Sequence, residues 1–436
     1  MQKFRKNIII FFTSFIMLMI ISQFINTPNY DCIWNYGFSY NISIGKIPYR
    51  DFNMIISPFY NIIFAPFLSM FGNYLIVFFI LNSLMYSFVI VLISKKIGKN
   101  YFFILLYMAT LPATFTYNSF IAFLTILILL IYDSNFKYRE ELISLVIGLI
   151  MITKQNIGFI MLIANFLVTN NKIKNMIISI IPMIFLCIYL AINNALYEYI
   201  DFCYLGLSKF SNNFNLCISV TIIIIPIIIW LFRKLIITKD KRIIYVLSFM
   251  FLLYPLIDET HLLPALIPFL YYFFLSVNDK KIHLIVKECL IIIFFILVYI
   301  SYPFTLSNSN SFLYLINVSE NTDYYLKNFG NYITSNNDKD IYLFTSDAYF
   351  IKLYLNIDIS FYDIINVGNL GSNPQKYIYK LDENCGKKEC LFIIDDEFNN
   401  NVPSNQLDRN FKEHIEKKYH FKETLPNGDI VYTNRK

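Results

Sequence analysis

The chain has 436 residues, of which 57% are hydrophobic and 15% charged, with a formal net charge of +6. A soluble domain carries roughly 25% charged residues and needs them to cover its surface, so this composition and a mean hydropathy of +0.52 exclude a soluble globular chain. The 44 Phe and 34 Tyr, against 12 Gly and 14 Pro, also exclude collagen-like, mucin-like and disordered chains. Lys and Arg lie in short scattered clusters rather than one patch, so the positive balance does not point to nucleic acid.

A hydrocarbon core about 30 Å thick needs roughly 20 apolar residues per helix. In chain order the apolar runs are Asn7 to Phe24, Tyr74 to Ile93, Tyr101 to Tyr117, Ser119 to Tyr132, Leu142 to Thr153 and Ile157 to Thr169. Then follow Met176 to Asn193, Leu216 to Phe232, Ile243 to Ile257, Leu262 to Val277 and Leu284 to Tyr299. The first run has no small-residue cleavage site after it, which favours a retained helix over a signal peptide. The expected fold is therefore an all-α polytopic membrane bundle of about eleven spans over residues 1–300.

The positive-inside rule tests this count. With eleven spans the inner loops carry seventeen basic residues, from Lys3, Arg5 and Lys6 through Lys95/Lys96/Lys99, Lys137/Arg139, Lys172/Lys174 and Arg233 to Arg242, to Lys280/Lys281. The short outer loops carry four: Lys46, Arg50, Lys154 and Lys209. This balance requires that Ile55 to Phe71, with Pro58 and Pro66, lie in the interface or re-enter rather than span. It also favours two hairpins, over Tyr101 to Tyr132 and over Leu142 to Thr169, because one long second helix would bury Lys154 mid-bilayer at ~2.5 kcal/mol or more.

Residues 301–436 are polar and, by parity, extracytoplasmic. A strand over Asp340 to Asp347, a helix from Ala348 to Leu355, a buried strand over Cys390 to Asp396, a helix over Asn410 to His420 and a strand over Gly428 to Asn434 predict a small α/β domain. Its two cysteines, Cys385 and Cys390, leave a disulfide, free thiols and a metal site open, with the outer location favouring the disulfide.

This topology gathers the unusual polar residues at the outer boundary. The first outer loop, 25–73, contributes Asp31, Trp34, Arg50 and Asp51; the turn after Thr153 contributes Lys154, Gln155 and Asn156; the turn "DETHLLP" contributes Asp258, Glu259 and His261. Ionisable groups at the boundary of so apolar a chain are functional candidates. Each also has a plainer reading. Arg50–Asp51 reads equally as a loop ion pair, Lys154 as a snorkelling side chain, Asp258 and Glu259 as acids at a helix N-terminus, and Trp34 as an interface anchor.

Such a set suits transfer from a lipid phosphate: a carboxylate as general base and cations beside the departing phosphate. Asp31 after the first helix, "GKIPYRDF" (Gly45 to Phe52), the Pro-containing helix ending in Phe71-Gly72, "TKQNIG" (Thr153 to Gly158) and "DETHLLPALIPF" (Asp258 to Phe269) together resemble the GT-C superfamily of polytopic glycosyltransferases, in its bacterial, polyprenyl-phosphate-sugar-dependent form. The resemblance implies an inverting enzyme of the cell membrane; Lys3, Arg5 and Lys6 before the first run predict a cytoplasmic N-terminus. Its donor would be a polyprenyl-phosphate-linked sugar and its acceptor an envelope glycan, lipid or protein. It implies Asp31 as catalytic base, with Asp51 as a second carboxylate, and Lys154 and His261 at the donor phosphate; Arg50, Gln155, Glu259 and Trp34 are candidate substrate-binding residues by their place at the outer boundary. The paired acids of some branches are absent, so a divalent ion such as Mg or Mn, held by Asp31 and Asp51 if at all, stays open. A flippase for lipid-linked sugars and a polysaccharide polymerase or ligase are the alternatives. No Gly-rich phosphate loop, H-E-x-x-H or G-x-S-x-G occurs.

Overall fold

A computed structural model describes residues 2–24, 30–52, 54, 56–72, 74–97, 115–206, 215–216, 218–254, 256–257, 259–276, 324–336, 338–344, 371–394, 409–425 and 428–435. The expected span Leu284 to Tyr299, all but the end of Tyr101 to Tyr117, the helix from Ala348 to Leu355, and Asp258 lie outside the described residues.

The described elements are, in order, α1 (Gln2–Phe24), α2 (Tyr30–Ser43), α3 (Phe59–Phe71), α4 (Leu75–Ile97), α5 (Tyr117–Tyr132), α6 (Arg139–Met151), α7 (Gln155–Val168), α8 (Lys172–Ile192) and α9 (Leu196–Ile200). A π-helical turn (Asp201–Leu205) follows, then β1 (Asn215–Leu216), α10 (Ile218–Thr238), α11 (Arg242–Phe249), a 3₁₀ turn (Met250–Leu253), β2 (Leu256–Ile257) and α12 (Glu259–Ser276). The tail holds α13 (Tyr324–Ser335), β3 (Asp340–Phe344), α14 (Pro374–Cys385), β4 (Cys390–Ile394), α15 (Arg409–Lys418), β5 (His420–Thr424) and β6 (Ile430–Thr433). The chain is mostly helical with a small C-terminal sheet, as expected. Among the described residues three helices are long and apolar enough to cross a membrane: Leu75–Lys96, Lys172–Ile192 and Val220–Thr238.

Residues Tyr30–Ser43, where no element was expected, form α2. One expectation needs correction. The apolar run Ile243 to Ile257 is not one helix: α11 tightens into the 3₁₀ turn, and Tyr254 is extended at φ −106°, ψ 134°. The cause is Pro255, which disfavours helical backbone at the residue before it. Leu256–Ile257 then pair in parallel with Asn215–Leu216.

The chain divides into two compact units. One comprises 1–32, 77–186 and 214–311; the other comprises 33–76, 187–213 and 312–436. Segment 33–76 thus groups with the tail rather than with the bundle.

In the first unit, α5, α6, α7, α11 and α12 pack around fully buried Ile121, Leu129, Ile147, Ile157, Val246 and Phe249. Two glycines permit close approach. A Cβ on Gly158 would lie 2.2 Å from Met151 Cα, and one on Gly148 would lie 2.4 Å from the Ser179 carbonyl oxygen. Gly158 therefore lets α6 and α7 fold back as the expected hairpin, with Lys154 at the break. Buried Asn165 is paired on both sides: it donates to Ser144 Oγ at 2.8 Å and accepts from the Tyr245 hydroxyl at 2.9 Å.

Hydrogen bonds fix which helix ends share a side. Arg242 Nη1 reaches Asp133 at 2.8 Å, joining the start of α11 to the end of α5. Lys241 Nζ donates to the Val168 carbonyl at 3.0 Å, at the end of α7. Tyr272, near the end of α12, donates to Asp240 at 3.0 Å. Asn170 and Asn175 donate to Glu140 at the start of α6. Arg139, Lys172, Lys174, Lys241 and Arg242 therefore occupy one end of this bundle, and the N-terminal ends of α5, α7 and α12 occupy the other.

In the second unit the sheet order is β3-β4-β6-β5. β3 and β4 are parallel, while β4–β6 and β6–β5 are antiparallel. Every residue of β4 is buried, as an interior apolar strand should be. Ile378 and Leu381 of α14 and Ile415 of α15 pack on Phe392. A disulfide joins Cys385 to Cys390 across 5.5 Å between Cα atoms, closing the turn from α14 into β4. Asn434 braces that turn, accepting from the Cys390 N–H at 2.9 Å and donating to the Lys388 carbonyl at 2.9 Å.

Asp382 ties α14 to α15. It accepts from Tyr419 at 2.6 Å, from Lys418 at 2.5 Å and from His414 at 3.1 Å. Burial pushes this carboxyl up, but the three donors outweigh burial and hold it below the ordinary carboxylate value. A depressed folded-state value contributes stability above pH about 4, and that contribution is lost as pH falls through the folded value. Protection factors of the β4 amides in the intact protein should therefore drop below pH about 4. Asp382→Asn should flatten that dependence; an unchanged dependence in the variant would refute the assignment.

Candidate functional site

The expected site residues fall in both units. In the first unit, Asp31 is the second residue of α2, and Glu259 and His261 lie in the first turn of α12. His261 is half-buried.

Lys154 occupies the N-cap of α7 with extended backbone at φ −142°, ψ 100°. Its amine donates to Asn118 Oδ1 at 2.9 Å and sits 5.1 Å from the Tyr117 ring centroid. Both partners belong to the first turn of α5, where Thr116 caps the helix through the Asn118 N–H at 3.2 Å. Gln155, the next residue, is buried. No acidic residue lies in the first turn of α7. A helix N-terminus favours negative charge. The ammonium and the helix end together favour a bound anion.

Also in this unit, a cavity of about 360 Å³ opens between α10 and α11. It is lined by Thr221, Ile224, Ile228, Leu247, Met250 and Tyr254, and its walls are almost wholly hydrocarbon. Such a groove accepts an alkyl or isoprenoid chain and no charged headgroup.

In the second unit, Arg50 and Asp51 form a two-pronged pair, Nε–Oδ1 at 2.7 Å and Nη2–Oδ2 at 2.8 Å. Asp51 also accepts from the Ile47 N–H at 2.7 Å. The Arg50 hydrogen bonds hold the Asp51 carboxyl below its ordinary value, which makes it a weak base. The preceding residue, Tyr49, is fully buried at φ +68°. Its hydroxyl donates to the Ile56 carbonyl at 2.5 Å and accepts from the Cys203 thiol at 3.5 Å. The Tyr199 hydroxyl shares hydrogen bonds with Ser57 at 3.0 Å and Tyr204 at 3.1 Å. Burial pushes Cys203 up to about 12, so it stays a thiol and is no nucleophile at neutral pH. Trp34 lies in α2, half-buried. On the same helix Asn35 and Ser39 accept from Asn61 of α3, at 2.7 Å through the Asn35 carbonyl and 3.2 Å through Ser39 Oγ.

Among the described residues no group of three His, Cys, Asp or Glu side chains is placed to hold a metal ion. Sequence reading missed Tyr117 and Asn118 as partners of Lys154. The signal was there: Asn118-Ser119 is a polar pair directly after a turn between two apolar runs. It also missed Tyr49, Tyr199 and Cys203, whose types are ordinary in so aromatic a chain. Comparison with known proteins finds no matching family model, curated protein or solved structure.

Proposed function

We propose that this chain is an inverting, GT-C-like membrane glycosyltransferase that takes a sugar from a polyprenyl-phosphate donor at the outer face of the cell membrane. The observation that carries this reading is the Lys154 ammonium at the acid-free N-terminus of α7, a combination suited to a lipid-linked phosphate. The hydrocarbon groove between α10 and α11 is of the right chemistry for the isoprenoid tail.

In this mechanism Asp31 accepts the proton of the acceptor hydroxyl. The hydroxyl oxygen bonds to the anomeric carbon from the face opposite the phosphate, and the bond from that carbon to the phosphate oxygen breaks with its electron pair staying on oxygen. The leaving phosphate is met by Lys154 and His261. Arg50 and Asp51 hold the loop rather than act as base, since Asp51 is engaged by three donors. The acceptor is an envelope glycan, lipid or protein.

The test uses the purified full chain with radiolabelled polyprenyl-phosphate hexose and pentose donors. Release of polyprenyl phosphate with an inverted product supports the reading. Lys154→Met should raise the donor KM at least tenfold, the scale of about 1.4 kcal/mol lost with one hydrogen bond to a charged group. Movement of the intact lipid-linked sugar across proteoliposomes without bond cleavage would replace it with a flippase.

A further inference from the structure

The π-helical turn Asp201–Leu205 is gripped from two sides within the second unit. Its defining bond runs from the Gly206 N–H to the Asp201 carbonyl at 2.7 Å, spanning five residues. A π turn inserts one residue more than the α-helix accommodates, is intrinsically unfavoured and recurs at functional sites.

On one side the turn meets the tail. Asp201 is 8% exposed, and its Oδ1 accepts from the Ser372 N–H at 3.0 Å and from the Ser372 hydroxyl. Gly371, at φ +76°, lies so close that a Cβ there would sit 2.0 Å from Asp201 Oδ2. Only glycine serves at that position, on both backbone and steric grounds. One turn earlier, Lys376 Nζ is 3.5 Å from Glu198 and 4.3 Å from the Tyr197 ring centroid.

On the other side the turn meets the loop 45–57. Cys203 donates to Tyr49, the Tyr199 and Tyr49 rings lie 5.1 Å apart, and Tyr199 bonds Ser57. Tyr49 is held at a positive φ that an aromatic residue adopts only when its surroundings enforce it.

We infer that Asp201–Leu205 is a two-state coupler between the tail and the loop that carries Arg50 and Asp51. With Gly371–Ser372 on Asp201, the π register holds and Tyr199 and Cys203 together fix Tyr49. When that contact is lost, the turn relaxes to α register. One residue less of winding rotates its two sides against each other by up to about 100°, which separates the two groups on Tyr49 and frees the loop. Coupling requires such a bistable element, not proximity alone. Occupation of the tail by a partner that displaces residues 371–376 would in this way loosen the loop. The inference does not depend on which reaction the chain runs.

The test is amide hydrogen exchange on the full chain in detergent, comparing wild type with Asp201→Ala, from the turn's side, and Gly371→Ala, from the tail's side. Both should speed exchange at residues 47–52 about tenfold or more, with β4 protection unchanged. Ser372→Ala replaces Gly371→Ala if β4 protection falls in that variant. Faster exchange confined to 371–376, with 47–52 within twofold of wild type, overturns the coupling.

Discussion

Asp31→Asn should reduce sugar transfer by about 10²–10⁴-fold, the range that removal of a general base produces, while the protein still folds and elutes as wild type. The replacement keeps size and polarity but cannot take a proton. The assignment sets Asp31 against Asp51, the other carboxylate of the outer segment. Asp51 is committed to Arg50 and the Ile47 N–H and is held below its ordinary value, so Asp51→Asn should affect mainly the loop 45–52 and lower transfer far less. The readout is the initial rate of polyprenyl phosphate release under donor saturation. Full activity in Asp31→Asn, or a greater loss in Asp51→Asn, would move the base elsewhere and remove the central residue of the proposed mechanism.

The membrane class was legible from composition because burial in lipid is a bulk property, and helices stand at the apolar runs that lie among the described residues. The hairpin break at Lys154 was legible for a specific reason: a charge in an apolar run costs too much to sit mid-bilayer. α2 was not legible. Its sequence, "YDCIWNYGFSYNIS", has no apolar stripe, because it buries Asn35, Ser39 and Asn41 alongside Tyr36 and Phe38. Hydropathy treats such residues as loop, whereas hydrogen bonding within the fold compensates their burial. The break in α11 was announced by Pro255, but an apolar run outweighed it in the reading. For the tail, β4 and β6 read clearly because a buried apolar strand has little other interpretation, while α14 and β5 did not. α14 is short of apolar residues, and β5 shows an exposed face in which Phe421 is 61% exposed. The contact of Asp201 with Ser372 joins positions 171 apart, through a carboxylate that accepts from a backbone N–H and a hydroxyl, and no local pattern encodes it.

Arg242→Leu should produce the largest loss of stability, about 2–4 kcal/mol. Arg242 donates to Asp240 through Nε and Nη2 and to Asp133 through Nη1, and its guanidinium lies 5.7 Å from the Tyr272 ring centroid. Removing it leaves two carboxylates close together without their cation, and breaking one partner of a mostly buried ion pair costs 3–5 kcal/mol. The side chain is 26% exposed, which lowers that figure through solvent screening. Burial pushes the Asp240 carboxyl up, but the Arg242 hydrogen bonds outweigh it and hold it below the ordinary value. Its contribution is thus present above pH about 4 and lost as pH falls through the folded value. The thermal midpoints of wild type and Arg242→Leu in detergent should differ by several degrees at pH 7 and converge below pH 4. Neutralising all three charges, as Asp133→Asn, Asp240→Asn and Arg242→Leu together, should recover much of the loss, because the penalty belongs to the stranded carboxylates rather than to the absent pair. Equal midpoints at pH 7 would show that these helix ends are held by apolar packing alone. A triple variant no better than Arg242→Leu would show that guanidinium packing on Tyr272, not charge, holds α5, α11 and α12 together at this end.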